Sequence, residues 1–457
     1  MRGPESFKGL RTAVISYHTC PLEPPGMGDA GGLNVFVREL AVALAKSGLR
    51  TDIFTRRTSE LAPSVVIAGP GVRVFHIDAG PSSPLEKEEL VRHLPEFTER
   101  IAAMATRCSP SYVLVHSHYW MSGLAGVEIS RTWSVPHIQT FHTLHAMKAA
   151  AGVPESGEFG ELRYEAEVRL AHGSDLLTVG SRAERRILTE FYGADPGKLV
   201  DLQPGYDPAL FWSDGTGKER HKRNLVRLAE CPPALALALE DTSHLLVAAG
   251  RIQPLKRFDL AIQAVEIMRR RFPRLGKITL AVCGGPSGSA GVAEHARLVK
   301  LAEDSSDPAS TLILGPLSRE SIAALVRAAD LVLVTSLSES FGLIALESLA
   351  AGTPVVATRT GGIEEIVEDG STGRLVDEWS PESLAEAAGR ILSDRGVWRS
   401  MARKARQAVL DRTWDNVSSR ALSIYGCLLG LESESREVEL TESLPQLRGP
   451  AQCCGCH

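Results

Sequence analysis

Ser338-Glu339-Ser340-Phe341-Gly342-Leu343-Ile344-Ala345-Leu346-Glu347 sets two carboxylates eight positions apart across a turn from strand to helix. The run before it, Leu331-Val332-Leu333-Val334, is apolar throughout and predicts a parallel strand buried on both faces. Gly342 permits a close turn, and Leu343 to Ala351 predicts the helix that follows. Glu339 is then expected in the crevice above the sheet, with Glu347 two turns deeper. A carboxylate accepts paired hydrogen bonds from vicinal hydroxyls, so one glutamate suits a hexose and the other a ribose, while the helix N-terminus faces phosphate.

Working outward, the same βα pattern repeats through the second half of the chain. Leu245 to Gly250, Ile278 to Val282, Thr311 to Leu314, Leu331 to Thr335 and Pro354 to Thr358 read as strands, with helices at Phe258 to Arg271 and Ser318 to Ala329. Gly250-Arg251 follows the first of these strands, so Arg251 and Lys256 are expected to project into the crevice. Two cations there can offset the negative charge that develops on a departing phosphate. The first half begins with a β-loop-α-β unit: strand Thr12 to Ser16, a glycine-rich loop from Gly26 to Gly32, helix Asn34 to Ser47 and strand Thr51 to Thr55. Further strands are expected at Val72 to Ile77, Tyr112 to His116, His137 to Phe141 and Leu176 to Val179. The loop glycines do not form G-x-G-x-x-G, and Arg56-Arg57 stand where a dinucleotide fold needs an acidic ribose ligand, which argues against a nicotinamide enzyme.

Composition narrows the ligand. A chain of 457 residues expects two domains, and a net charge of −5 with 23% charged residues offers no field for nucleic acid or a membrane surface. Small-molecule substrates remain. The start of the chain has no apolar leader and no run reaches a spanning length, so a cytoplasmic protein is expected. Cys20, Cys108, Cys231, Cys283 and Cys427 sit in apolar contexts and read as buried thiols, whereas Cys453, Cys454, Cys456 and His457 crowd the end without a second zinc-type pair. His18, His116 and His118 also lack ligand spacing, so no catalytic metal is expected. Breaks at Pro204-Gly205, Pro208 and residues 213–217 place the boundary there. The expected division is 1–205, 206–431 with closing C-terminal helices, and a polar tail over 432–457 expected to be disordered.

Gly28-Asp29-Ala30-Gly31-Gly32, Gly250-Arg251 with Lys256, Gly284-Gly285, Glu339 with Glu347, and Gly361-Gly362 together resemble the retaining glycosyltransferases of family 4, over about residues 10 to 425. The resemblance implies the GT-B fold, two doubly wound Rossmann-like α/β domains facing across a cleft. His18-Thr19-Cys20-Pro21-Leu22, His116-Ser117-His118-Tyr119-Trp120 and His142-Thr143-Leu144 are similar to the branch that moves N-acetylglucosamine from UDP to an inositol phosphate in mycothiol biosynthesis. By that resemblance Gly32 approaches the donor diphosphate, Arg251 and Lys256 bind it, Glu339 takes the transferred sugar, Glu347 the ribose, and His142 lies beside the sugar. It also implies an acceptor-phosphate clamp of Lys87, Tyr119, Thr143 and Arg163 with Asn34 near the ring, two cations and two hydroxyls being suited to a phosphate.

The resemblance further implies front-face transfer on domain closure, a homodimer, and no required cofactor, with any magnesium non-catalytic. Gln139-Thr140-Phe141-His142-Thr143 and Leu144-His145-Ala146-Met147-Lys148-Ala149 depart from the family's His-Thr-Ala-His-Thr and Leu-Ala-Ala-Val-Lys-Asn runs beside the acceptor. A different acceptor, such as a sugar phosphate or lipid-linked sugar, or a UDP-glucose donor, therefore stands as the alternative. A non-catalytic sugar-nucleotide sensor and a purely structural α/β protein are the remaining readings.

Overall fold

A computed structural model describes residues 4–104, 111–153, 155, 157–213 and 217–431. The tail from 432 with its Cys453, Cys454, Cys456 and His457 ending, and Cys108, lie outside the described residues. Within them, two sheets form. The first comprises β1 (Arg11–Ile15), β2 (Arg50–Arg56), β3 (Val65–Gly69), β4 (Val72–Ile77), β5 (Tyr112–His118), β6 (His137–Thr140), β7 (Leu176–Val179) and β8 (Leu199–Asp201), in the order β3-β4-β2-β1-β5-β6-β7-β8. The second comprises β9 (His244–Ala249), β10 (Ile278–Cys283), β11 (Thr311–Leu314), β12 (Leu331–Val334), β13 (Val355–Thr358) and β14 (Gly373–Val376), in the order β11-β10-β9-β12-β13-β14. Among the described residues every strand pairing is parallel except β3 with β4.

Each strand order reverses beside its first strand, between β1 and β5 and between β9 and β12. Reversal points leave a crevice at the carboxyl ends of the strands, and the two crevices face each other. The predicted strands agree with the observed ones to within two residues at their ends. Three strands have no counterpart in the sequence reading, β3, β8 and β14, and all three lie at sheet edges. An edge strand is covered on fewer sides, so its apolar pattern is weaker: β14 reads buried, exposed, buried, half-buried.

The chain crosses between the two units twice, at Tyr206 and at Trp414. Tyr206 donates to the carbonyl of Arg412 at 2.9 Å, and Trp414 donates back to that of Tyr206 at 3.3 Å. A Cβ on Gly205 would meet the Trp414 nitrogen at 2.6 Å, so the crossing needs a glycine. The second crossing corrects the expected division: helix Trp414–Leu428 lies in the 206–431 segment but packs on the first unit. Its Trp414, Val417, Ala421 and Tyr425, spaced for one helical face, bury against Phe36, Leu40 and Leu44 of helix Gly32–Lys46. Each large side chain so buried contributes about 1.5–3 kcal/mol. The Tyr425 hydroxyl adds a 2.7 Å hydrogen bond with His116 Nδ1. No helix among the described residues is long and apolar enough to cross a membrane.

Candidate active site

Between the facing crevices lies a cavity of ≈ 290 Å³ whose lining includes Gly32, Lys87, Tyr119, His142, Thr143, Arg251, Lys256, Glu339 and Glu347. Its C-terminal wall is built at the strand ends. After β12 the chain passes through Glu339 and turns at Gly342, whose φ of 73° lies in the left-handed region that glycine enters without strain. Helix Leu343–Ala350 then runs back through the core. Glu339 is fixed by its own backbone, because its carbonyl accepts from the Gly362 nitrogen at 2.9 Å and a Cβ on Gly361 would meet that carbonyl oxygen. Its carboxylate accepts from Lys256 Nζ at 2.5 Å and from the Ser336 hydroxyl at 3.1 Å. Glu347 is deeper, 4% exposed, and pairs with Arg319 at 3.0 Å. Burial pushes its carboxyl pKa up, and Arg319 works against that shift.

The glycine-rich loop after β1 closes over this wall. The Gly26 carbonyl accepts from the Gly285 nitrogen at 2.8 Å. Asp29 sits at the centre, its Oδ1 accepting from Lys87 at 3.0 Å, Ser287 at 3.2 Å and Arg251 at 3.4 Å. Burial opposes its charge, but Lys87, His18 and Arg251 prevail and hold its pKa at about 2. One carboxylate thus joins a cation of the N-terminal wall to a cation of the C-terminal wall. A Cβ on Gly31 would meet Arg251 Nε at 2.9 Å, whereas one on Gly32 would meet nothing within 4 Å. Gly32 opens a 15-residue helix, so its exposed end offers free N–H groups to an anion in the cavity.

The N-terminal wall carries Tyr119, Thr143 and Lys87, joined by Lys148. Arg163 stands behind them, fully buried, with Cζ 5.2 Å from the centre of the Tyr119 ring. It donates to Glu167 at 2.7 Å, to both oxygens of Glu155 at 2.9 Å and to the Thr143 carbonyl at 2.8 Å. Burial opposes its charge, and Tyr119, Glu167 and Glu155 outweigh burial and keep it protonated. Glu155 also accepts from Lys148 at 2.6 Å. Burial and the neighbouring Arg163 bring the Lys148 pKa down to about 8.

His142 lies where the walls meet, edge-on to Phe36 and to Phe341 of the opposite wall. Its φ of 62° is rare for a non-glycine residue, a strain that tertiary contacts must hold in place. Its Nε2 hydrogen-bonds His118 Nδ1 at 2.9 Å, and its Nδ1 is buried without a partner. Burial and the neighbouring His116 and His18 push its pKa well below the usual value, so the ring is neutral at pH 7.

The structure brings together Gly32, Lys87, Tyr119, His142, Thr143, Arg251, Lys256, Glu339 and Glu347 on one cavity surface. Arg163 and Asn34, expected against the acceptor, stand one layer behind it. Asn34 is 1% exposed and latches the loop: its Oδ1 accepts from the Gly31 nitrogen, and its Nδ2 donates to Thr19 and to the Cys20 carbonyl. The sequence reading assigned no role to Asp29, Lys148, Glu155 or Arg319. Asp29 lies inside a quoted motif and Lys148 inside a quoted departure, whereas Glu155 and Arg319 carry no local signal.

Residues 31–205 match the family model described as a glycosyl transferase 4-like domain, and residues 236–408 that of glycosyl transferases group 1. The D-inositol 3-phosphate glycosyltransferase of Salinispora arenicola is 39% identical over 418 residues, 91% of each chain. The enzyme of the same name from Actinosynnema mirum is 40% identical, covering 91% of this chain and 97% of its own. Among solved structures, the sucrose-phosphate synthase of Thermosynechococcus elongatus superposes with a TM-score of 0.80 at 27% identity, covering 93% of this chain and all of its own. Anabaena HepE, solved with UDP and glucose, superposes at 0.66 with 16% identity over 92% of this chain and all of its own, a likeness of fold. With relatives of that identity running along nine-tenths of both chains, this chain belongs to the family 4 glycosyltransferases of the GT-B fold.

Proposed function

We propose that this glycosyltransferase moves N-acetylglucosamine from UDP-N-acetylglucosamine to 1D-myo-inositol 3-phosphate, with retention at the anomeric carbon. The observation that carries the reading is the pairing of walls: Arg251, Lys256, Glu339 and Glu347 on one side face Lys87, Tyr119, Thr143 and Lys148 on the other. The first set matches a sugar diphosphate and two diols, the second an anionic acceptor. The names of the relatives from Salinispora and Actinosynnema support the inositol phosphate.

In this reading the donor lies along the C-terminal wall, its diphosphate against Arg251, Lys256 and the helix end at Gly32. The bond from the anomeric carbon to the β-phosphate oxygen breaks, and negative charge grows on that oxygen beside fixed cations. The acceptor hydroxyl oxygen bonds to the same carbon from the same face, and its proton passes to the departing phosphate. Entry and exit on one face retain configuration. Neutral His142 contributes shape and a hydrogen-bonding edge beside the sugar rather than a charge. The contacts between Gly26 and Gly285 and between Asp29 and Arg251 hold the two walls together and support a closed cleft in which the transfer is shielded from water.

UDP release from UDP-N-acetylglucosamine, with and without 1D-myo-inositol 3-phosphate, tests this with the product identified by mass. Inositol-phosphate-dependent release with a matching glycosylated product is expected. The likeness to sucrose-phosphate synthase favours one second reading, a sugar phosphate as acceptor. Release with fructose 6-phosphate and none with the inositol phosphate would select it.

A further inference from the structure

Arg319 is the first residue of helix Arg319–Ala328, the end at which aligned peptide dipoles favour an anion and disfavour a cation. Local helix physics therefore gives no reason for an arginine there. Its side chain is 12% exposed, reaches the cavity and lies with Cζ 5.4 Å from the centre of the buried Phe211 ring. The pairing with Glu347 at 3.0 Å is out of line for a hydrogen bond, which leaves Arg319 Nε and Nη2 and Glu347 Oε1 buried without an aligned partner. Buried polar atoms left open on both members of an ion pair, at the rim of a cavity, are places for a ligand's hydroxyls.

We infer that Arg319 is a positioning residue for the nucleoside: it holds the Glu347 carboxylate ionised and turned to receive the two vicinal hydroxyls of the donor's ribose. This rests on the reading of Glu347 as the ribose ligand. The physical need is specific. A carboxylate accepts at both oxygens, whereas a carboxylic acid keeps one of them as a donor and loses the fit to a diol. Burial drives Glu347 toward the acid, and so does the charge of two further acids, Glu39 from helix Gly32–Lys46 of the first unit and Asp207 beside the first crossing. Arg38 and Lys46 act on Glu39 from its own helix, while Arg319 acts on both Glu39 and Glu347. Arg319 is thus the cation that opposes protonation of Glu347 directly.

The test compares inhibition by UDP and by 2′-deoxy-UDP, across pH, in wild type, Arg319→Met and Arg319→Lys. Wild type is expected to bind UDP about tenfold tighter than 2′-deoxy-UDP, the worth of one hydrogen bond to a charged group. Arg319→Met is expected to bring that ratio near one at pH 7 and to move the acid limb of UDP affinity to higher pH. Arg319→Lys, which keeps the charge, is expected to restore the limb. An unchanged ratio and limb in Arg319→Met would overturn the inference, since packing against Phe211 alone would then explain the residue. Equal binding of both nucleotides by wild type would instead remove the ribose contact, and the reading of Glu347 with it. Should Arg319→Met not fold, Glu347→Gln supplies the permanently neutral isostere, and a wild-type UDP preference in that variant would equally overturn the inference.

Discussion

On the C-terminal wall, proposed to face the donor, two cations each meet one carboxylate of the same wall: Lys256 with Glu339 at 2.5 Å and Arg319 with Glu347 at 3.0 Å. On the N-terminal wall, proposed to face the acceptor, a single buried guanidinium, Arg163, meets two carboxylates and a carbonyl behind the surface, leaving Lys87 and Lys148 to face the cavity. The first arrangement consists of pairs that line the cavity: in the proposed reaction a ligand opens the Lys256–Glu339 pair, while Arg319 stays on Glu347 and turns its carboxylate to a diol. The second is a scaffold that holds Tyr119 and Thr143 in place and has little left to give a ligand. Substitutions on the donor wall should therefore read out in chemistry and donor affinity, and those behind the acceptor wall in folding as well as binding.

The largest effect on catalysis is expected at Lys256. Lys256→Ala removes the charge proposed to act on the departing phosphate, so kcat should fall about 10²–10³-fold with donor KM changed far less, as steady-state kinetics would reveal. A fall in affinity without a fall in kcat would place the diphosphate elsewhere. Arg163→Met should lower the melting temperature as well as acceptor affinity. It leaves the fully buried Glu167 with its guanidinium removed, a loss of about 3–5 kcal/mol for a broken buried pair. Unaltered stability in a melting scan would refute the scaffold role.

Glu347→Ala should raise donor KM about tenfold, in keeping with a lost charged hydrogen bond, and leave kcat within a few-fold. A milder effect is expected from pH. Lys148 has its pKa lowered to about 8, so it is charged below that pH and neutral above it. Acceptor KM should rise severalfold as pH passes through about 8 and upward, and Lys148→Met should flatten that rise; the same rise in the variant would assign it to another group. The smallest effect belongs to the turn. Gly342→Ala puts a Cβ at φ 73° and within 2.5 Å of Ile363 Cδ1, costing about 1 kcal/mol in conformation plus what the isoleucine cannot absorb. A melting temperature equal to wild type would show that the turn relaxes freely.

The same contrast explains what could be read in the chain. Glu339, Gly342 and Glu347 lie within ten residues of one strand, turn and helix, so period and punctuation place them. Arg251 and Lys256 follow a strand end for the same reason. The acceptor wall is gathered from β1, β5, β6 and the helices near residues 87, 148 and 163, and no local pattern links Lys87 to Asp29 or Arg163 to Glu155. Resemblance supplied the residue types there, with Arg163 in the phosphate clamp and Asn34 near the ring, and packing sets both behind the cavity surface. Arg319 was hidden because a cation at a helix start reads as an ordinary surface residue until Glu347 is seen beside it. Helix Trp414–Leu428 shows the same limit at the scale of the fold: closing helices were expected at the end of the second unit, and nothing local shows that this one packs on the first unit.

The division of labour between the walls is tested most directly by measuring donor and acceptor KM side by side in Lys87→Ala and Glu347→Ala, with UDP-N-acetylglucosamine and 1D-myo-inositol 3-phosphate. The account predicts that Lys87→Ala raises acceptor KM about tenfold with donor KM near wild type, and that Glu347→Ala does the reverse. Equal rises in both constants for both variants would contradict it, because the cleft would then bind its substrates as one undivided site.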